Sequence, residues 1–138
     1  MFKQSVQRVL GGLLISGMLT FGVAAQQSEI EGTISNQIEA FKADDFAAAF
    51  EFATPRLQQL FQSPENFQRM VIGGYPMVWR PAEVRYLELR EYEGAMWQKV
   101  QIIDAKGFAH VLLYRMEATD EGWRIGGVQV LKQPGATA

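Results

Sequence analysis

The chain has 138 residues, no cysteine, one histidine and a formal net charge of −2. A chain of this length has room for one domain, and without cysteine it has no disulfide, no thiolate metal ligand, no cysteine nucleophile and no lipid-modified cysteine. One histidine is too few for a multi-histidine zinc site, and the near-neutral charge argues against nucleic acid as the main partner.

The first 25 residues have the three parts of a secretory signal peptide. Lys3 and Arg8 give a basic start, an uncharged stretch from Val9 to Ala25 follows, and small residues end it. The stretch is shorter than the roughly 20 residues needed to span a bilayer, and its glycines weaken a permanent helix. We therefore expect cleavage after Ala25 and a periplasmic or secreted protein, rather than one held by a stable membrane anchor.

The next part of the chain predicts helices. Ile30, Ile34, Ile38 and Phe41 recur at helical spacing and form one apolar stripe. Further helix starts are predicted from capping residues and prolines at Asp44 or Asp45, at Thr54-Pro55 and at Ser63-Pro64. The last of these helices should stop at Gly73-Gly74-Tyr75-Pro76.

The second half predicts antiparallel strands at 83–92, 95–104, 108–118 and 123–132, joined by tight turns. The turns place Tyr92 opposite Ala95, Asp104 opposite Phe108 and Thr119 opposite Trp123, and this register decides which face each side chain takes. The predicted inner face carries Leu87, Leu89, Met96, Val100, Ile102, Phe108, Leu112, Tyr114, Met116, Val128 and Val130.

These elements predict an α+β fold. Three to four N-terminal helices should pack on a curved four-stranded antiparallel sheet. Residues 26–132 then form a single domain, and residues 133–138 form a disordered tail.

Several segments of the chain resemble one known family. The opening, Gln37–Phe41, is followed by Asp44, Phe50 and Pro55; the middle is Phe67–Val71 with Gly74-Tyr75-Pro76 and Trp79-Arg80-Pro81; the closing strand is Trp123–Gly127. This family is a domain of unknown function, number 4864, and the resemblance covers nearly all of residues 30–132. It implies no activity and no site residues.

The order of elements is also similar to the nuclear-transport-factor-like (cystatin-like) superfamily. That resemblance implies helices folded against a bent sheet, in a cone with an internal pocket. The helices predicted at 55–72 depart from it, because many members have an early hairpin there. The superfamily holds enzymes, ligand carriers and assembly domains, so the fold does not give the function.

His110 is the candidate catalytic residue, because histidine is the side chain that changes charge near neutral pH. The register places it inward, near Tyr114 and two strands from Arg85. It can be a general base or ligand contact, or a hydrogen-bonded histidine at the sheet edge. The second interpretation is favoured, because a catalytic residue needs partners and no inward carboxylate is placed to orient it; Asp104, the nearest, belongs to a turn.

Arg85, Gln98, His110 and Tyr114 are the candidate residues of a ligand pocket on the inner face. Gln98 and Tyr114 can orient a small apolar ligand through hydrogen bonds. Alternatively, such groups satisfy one another or buried backbone.

Two further clusters of side chains each allow more than one interpretation. Tyr75, Trp79 and Arg80, with two prolines beside them, form a pocket rim, a partner-binding edge or a rigid connector. Trp97, Trp123 and Ile125 fall on the predicted outer face, where an exposed patch favours a sheet-to-sheet homodimer unless the C-terminal tail covers it.

The sequence predicts neither a metal site nor a cofactor site. Its best interpretation is an exported, non-catalytic domain that binds a small apolar molecule or a protein partner. One alternative is an enzyme using His110 with Tyr114 and Arg85, and another is a homodimeric structural or assembly module.

Overall fold

The computed structural model describes residues 2–131, with side chains from residue 22 onward. The helices are α1 (Phe2–Lys42), α2 (Phe46–Glu51), α3 (Pro55–Phe61), α4 (Pro64–Gly74) and α5 (Pro76–Trp79). The strands are β1 (Pro81–Tyr92), β2 (Ala95–Asp104), β3 (Ala109–Thr119) and β4 (Gly122–Leu131). The strands form one antiparallel sheet in the order β1-β2-β3-β4, which confirms the predicted α+β class.

The predicted signal peptide falls in the first part of α1, and its cleavage stays a prediction. The predicted tail at 133–138 lies outside the described residues. Within the described part of the chain, no helix combines the length and the apolar character needed to cross a membrane.

The predicted apolar stripe of α1 is the centre of the core. Ile30, Ile34, Ile38 and Phe41 are at most 3% exposed, because helical spacing brings all four to the side that faces the sheet and the other helices. Burying large apolar side chains of this kind contributes about 1.5–3 kcal/mol each. The stripe therefore fixes α1 against the rest of the domain.

The predicted helix starts are confirmed by their capping contacts. The Asp45 side chain accepts a hydrogen bond from the backbone N–H of Ala48 at the start of α2. Thr54 and Ser63 do the same for α3 and α4, each followed by proline. The short helix α5 was not predicted; it begins at Pro76, directly after α4 ends.

The three turns lie where they were predicted, and the first two also have the predicted pairing. Glu93 and Gly94 both have positive φ, 48° and 80°, as the tightest hairpin turn requires. Gly107 and Gly122, at φ 90° and 106°, close the other two turns, and glycine takes this conformation without steric cost.

The predicted register holds in β2 and β3 but is wrong at the start of β1. The pairing Leu89–Gln98 is as predicted, whereas a bulge between Tyr86 and Leu89 makes Tyr86, not Leu87, the partner of Val100. One extra residue moves every earlier side chain to the other face. Arg85 is therefore exposed, opposite Gln101, and does not point inward as predicted.

A second bulge changes the start of β4. Thr119 pairs with Gly122 rather than Trp123, and the register shifts between Arg115 and Met116, where Gly126 is the extra residue. The predicted outward positions of Trp123 and Ile125 are wrong for this reason. Ile125 is 3% exposed in the core and Trp123 packs against it, so neither belongs to an outer dimer face.

Two predicted inner residues lie beyond the cover of the helices: Phe108 is 65% and Val130 is 43% exposed. At the outer edge of β4, the backbone N–H of Thr54 donates to the Ile125 carbonyl oxygen at 2.9 Å. The Ile125 N–H donates to the Phe52 carbonyl oxygen at 2.8 Å. The link between α2 and α3 is therefore hydrogen-bonded to this strand at Ile125.

Candidate functional site

A cavity of about 290 Å³ lies between the helices and the inner face of the sheet. Its lining residues come from α1, α3, α4, α5, β3, β4 and the connections between the helices. They are Gln37, Phe41, Ala53, Leu57, Phe61, Phe67, Met70, Val71, Tyr75, Val78, Tyr114, Ile125, Gly127 and Val128. None of these side chains is an acid or a base of the Asp, Glu, Lys, Arg or His type, so the lining is apolar with a few neutral polar groups.

Aromatic rings make up much of the helical wall. The Phe67 ring centre lies 5.8 Å from that of Phe41, 5.2 Å from Phe50 and 5.7 Å from Phe61, all in tilted arrangements. Aromatic pairs favour tilted geometry at such distances. These ring contacts therefore stabilise the helical wall of the cavity.

Tyr114 is the candidate pocket residue that the structure places in this lining. It is 1% exposed, and its hydroxyl makes no hydrogen bond to any described residue. Burial raises the pKa of Tyr114 far above its usual value, because a phenolate is poorly stabilised away from water. The group therefore stays a neutral hydroxyl that can donate and accept a hydrogen bond.

Tyr75, one of the predicted rim residues, also lines the cavity. Its hydroxyl donates to the Val128 carbonyl oxygen at 3.3 Å, from the helical side across to β4. Met77 and Val78 of α5 are also buried, and Val78 lines the cavity as well. The segment predicted as a surface element is thus a packed connector that also forms part of the cavity wall.

The other two predicted rim residues fix this connector to the end of α1. Trp79 Nε1 and Arg80 Nη2 each donate to Asp44 Oδ1 at 2.9 Å, and the Arg80 guanidinium lies over the Trp79 ring. The hydrogen bond from Trp79, together with Arg80, lowers the pKa of Asp44. We call Asp44, Trp79 and Arg80 the α5 anchor.

Gln98, a predicted pocket residue, has a different role. It is buried, but it is not part of the cavity lining. Its side-chain nitrogen donates to the carbonyl oxygens of Leu87 and Glu88 in the β1 bulge and of Lys99 in its own strand. Gln98 therefore fits the alternative interpretation given above, in which its side chain forms hydrogen bonds with backbone groups rather than with a ligand.

His110 lies on the inner side of the sheet, opposite Ile102, but it is not part of the cavity lining. Its Nε2 is 2.8 Å from Asp104 Oδ2, so the expectation that no carboxylate orients it was wrong. Asp104 Oδ1 also accepts from the backbone N–H groups of Lys106 and Phe108. The pair therefore stabilises the β2–β3 turn, and Arg85 and Tyr114 do not join it.

Trp97 is the one predicted dimer-face residue that lies on the outer face of the sheet. Its Nε1 is buried without a hydrogen bond to a described residue. It lines a groove with Tyr92, Leu113 and Leu131, beside a Glu88–Lys99 ion pair with an N–O distance of 3.0 Å. Among the described residues, no group of acidic or histidine side chains is arranged to hold a metal ion.

The superfamily resemblance implied an internal pocket, but the apolar spacing of the helices did not show which of their residues would line it. Leu57, Leu60 and Phe61 are the large apolar residues of α3, yet Leu60 is 70% exposed while the other two line the cavity. Apolar periodicity identifies a buried face. The same periodicity does not indicate whether two buried faces pack tightly or leave a cavity between them.

Comparisons with known proteins agree with the family resemblance. Residues 23–138 match the family model described as domain of unknown function (DUF4864). No curated protein matched significantly. Among solved structures, an NTF-2-like protein of unknown function from Burkholderia xenovorans LB400 aligns over 80% of this chain and 91% of its own, with 14% identity and a TM-score of 0.45.

Proposed function

The chain belongs to the DUF4864 family of unknown function, and we propose that its domain binds a small apolar molecule in the cavity between helices and sheet. The observation that carries this proposal is the apolar, aromatic lining of a cavity of about 290 Å³. Protein interiors leave few voids larger than a water molecule. Ligand pockets are typically apolar clefts with a few polar groups, starting at roughly 300 Å³.

The lining also contains three neutral polar residues. They are Gln37, whose amide nitrogen donates to the Ala49 carbonyl oxygen at 3.1 Å, Tyr75, whose hydroxyl donates to the Val128 carbonyl oxygen, and Tyr114, whose hydroxyl is buried. The His110–Asp104 pair lies outside this lining. The proposal therefore assigns binding, and no chemical step, to the cavity.

Titration of the ¹⁵N-labelled protein with naphthalene, followed by NMR, tests the proposal. We expect shifts at backbone amides of the cavity, including Val71 and Gly127. Leu57→Trp should abolish them, because the larger side chain enters the cavity. Leu60→Trp is the matched control, since it adds the same ring to an exposed position of the same helix.

Two results would contradict the proposal. One is an absence of binding by naphthalene and by other neutral ring compounds in the unmodified protein. The other is binding that Leu57→Trp leaves unchanged, because the probe would then occupy another site.

We also propose that residues 1–25 direct export and are removed after Ala25. The basic start, the apolar middle and the small residues before the cut support this, and the family match begins nearby, at residue 23. N-terminal sequencing of protein expressed with its own first residues should give a start at Gln26. Ala25→Arg should block that cut, and a start at Met1 would refute the proposal.

A further inference from the structure

The helix α3 differs from the other helices, because none of its residues is buried. Each of α2, α4 and α5 contains at least two buried apolar residues, and α1 carries the core stripe. Phe61 of α3 packs against Phe67 of α4 but stays partly exposed. Segments with few buried apolar contacts are those that open locally at the lowest cost in free energy. The helix α3 can therefore move without exposing a fully buried side chain of its own.

This helix also borders the cavity where the cavity meets solvent. Most lining residues are buried, but some stay partly exposed and mark the mouth: Leu57, Phe61, Met70, Tyr75, Gly127 and Val128. The α4 side of the mouth is fixed by the buried Phe67 and Val71, and the β4 side is fixed by strand pairing with β3. The connector that carries Tyr75 is fixed by the α5 anchor. Of the elements around the mouth, α3 is therefore the movable one.

Both ends of α3 are fixed, and this limits how the helix can move. At its start, the Thr54 N–H donates to the Ile125 carbonyl oxygen of β4 at 2.9 Å. At its end, Gln62 has a φ of 74° and α4 begins two residues later. Hinges are typically a few residues at the ends of an element. Rotation of α3 between these two points would carry Leu57 and Phe61 out of the cavity wall.

Two side-chain amides hold α3 against its neighbours. Gln58 Nε2 donates to the carbonyl oxygens of Phe50 at 3.2 Å and Ala53 at 3.0 Å. Asn66 Nδ2 of α4 donates to the Phe61 carbonyl oxygen at 2.9 Å. Each such hydrogen bond stabilises a fold only modestly, because water replaces the partner when the bond breaks. These contacts can therefore break and re-form while the core stays folded.

We propose that α3 is a lid that opens the cavity for ligand entry and that the Gln58 amide holds this lid closed. The inference rests on the proposed binding function and adds how the binding site opens. The sheet and the other helices stay in place while α3 moves between Thr54 and Gln62. Gln58 is not part of the cavity lining, so it controls the rates of ligand entry and exit rather than the affinity.

Stopped-flow fluorescence with naphthalene tests the lid. The association and dissociation rate constants are measured for the unmodified protein, Gln58→Ala and Gln59→Ala. In Gln58→Ala we expect both rate constants to rise about fivefold with Kd unchanged, because losing the hydrogen bonds favours opening in the free and the bound protein alike. Gln59→Ala is the matched control, since Gln59 is exposed on the same helix, and it should leave both rate constants unchanged.

Hydrogen exchange of the ligand-free protein gives a second readout. The backbone amides of Leu60 and Phe61, in the last turn of α3, should exchange faster than that of the buried Val71 in α4. Gln58→Ala should accelerate the first two about fivefold and leave Val71 unchanged. Asn66→Ala releases the other end of the lid and should have the same effect, so the test does not depend on one variant.

The outcomes separate the lid from the proposed function. A higher Kd with an unchanged association rate in Gln58→Ala would show that Gln58 shapes the cavity, and would overturn the lid. Unchanged exchange of Leu60 and Phe61 in both variants, or equal acceleration at Val71, would overturn it as well. Absence of naphthalene binding would overturn the proposed function and the role of α3 in entry, while hydrogen exchange would still decide whether α3 opens.

Discussion

The side-chain nitrogen of Gln98 lies 3.1 Å from the carbonyl oxygen of Leu87, in the β1 bulge where pairing with β2 is interrupted. The same nitrogen also donates to the carbonyl oxygens of Glu88 at 3.3 Å and Lys99 at 2.9 Å. Gln98 is buried, so its amide replaces hydrogen bonds that the strand pairing does not make there. This contact holds the bulge that turns Arg85 outward and Tyr86 inward.

Gln98→Leu should lower the free energy of unfolding by about 1 kcal/mol, because three backbone carbonyl oxygens would lose a donor. Removal of the buried Gln98 Oε1, which has no hydrogen-bond partner among the described residues, offsets part of the loss. Urea unfolding monitored by circular dichroism measures the change. Gln101→Leu is the matched control, because Gln101 lies in the same strand on the other face. Equal stability of the Gln98→Leu and unmodified proteins would show that the amide does not support the bulge.

The β-sheet shows how far the sequence can predict this fold. The turns at Glu93-Gly94 and Gly107 have clear residue signals, so the strands and the register beside those turns followed from them. The β1 bulge has no such signal, because it depends on tertiary contacts such as that of Gln98 with Leu87. The β4 bulge lies at Gly126, and a glycine inside a strand is the signal that indicates it. Each bulge reverses the faces beyond it, which explains the wrong placement of Arg85 and Ile125.

Gly126→Ala should destabilise the protein, because the added methyl group would clash with the Glu117 side chain. A Cβ at this position would lie 2.0 Å from Glu117 Oε2, so the carboxylate would have to leave Arg115, its partner at 3.0 Å. Glu117 is flexible and partly exposed, so we expect a loss of about 1 kcal/mol. In a Glu117→Ala background the same substitution should lower the free energy of unfolding by less, as measured by urea unfolding. Equal losses of unfolding free energy in the two backgrounds would contradict this explanation.

The α5 anchor predicts a difference between two substitutions of Asp44. Asp44 has a φ of 57°, which asparagine tolerates better than alanine, and an asparagine oxygen can still accept from Trp79 Nε1. Asp44→Ala should therefore lower the melting temperature more than Asp44→Asn. The indole N–H signal of Trp79 in NMR spectra should shift strongly in Asp44→Ala, and an unshifted signal would contradict the anchor.

The contact between His110 and Asp104 predicts a pH dependence of stability. The hydrogen bond from His110, helped by the N–H groups of Phe108 and Lys106, lowers the pKa of Asp104 below its usual value of 3.8. The folded protein therefore favours the charged carboxylate. This stabilisation is fully present above the usual pKa and is lost as the pH falls through the lowered pKa.

Asp104→Asn should accordingly be less stable than the unmodified protein at about pH 6, and the difference should disappear towards about pH 2. Urea unfolding across this range measures it. Asp120→Asn, at an exposed turn position, controls for the loss of one surface carboxylate. If the free energy of unfolding of Asp104→Asn and that of the unmodified protein change with pH in parallel, the assigned role of the His110–Asp104 pair is contradicted.

The candidate site was predictable only in part. Tyr114 was identified because the register between β2 and β3 is regular, and Tyr75 because of its unusual neighbours. Gln98 and His110 also lie on the inner side of the sheet, but neither lines the cavity. Gln98 is hydrogen-bonded to the β1 bulge and His110 to Asp104. Local pattern shows which face a polar side chain takes, whereas its partner depends on tertiary packing.

The hydrogen bonds between Ile125 and the Phe52–Thr54 segment have a consequence for association between molecules. A sheet edge with free N–H and C=O groups is a template on which another chain can add a strand. Here the N–H and C=O groups of Ile125, near the start of the β4 edge, are already bonded to the protein's own backbone, so strand addition at this position requires the Phe52–Thr54 segment to detach first. The domain thus limits edge-to-edge aggregation on one side of its sheet through a connection that also helps to wall the cavity.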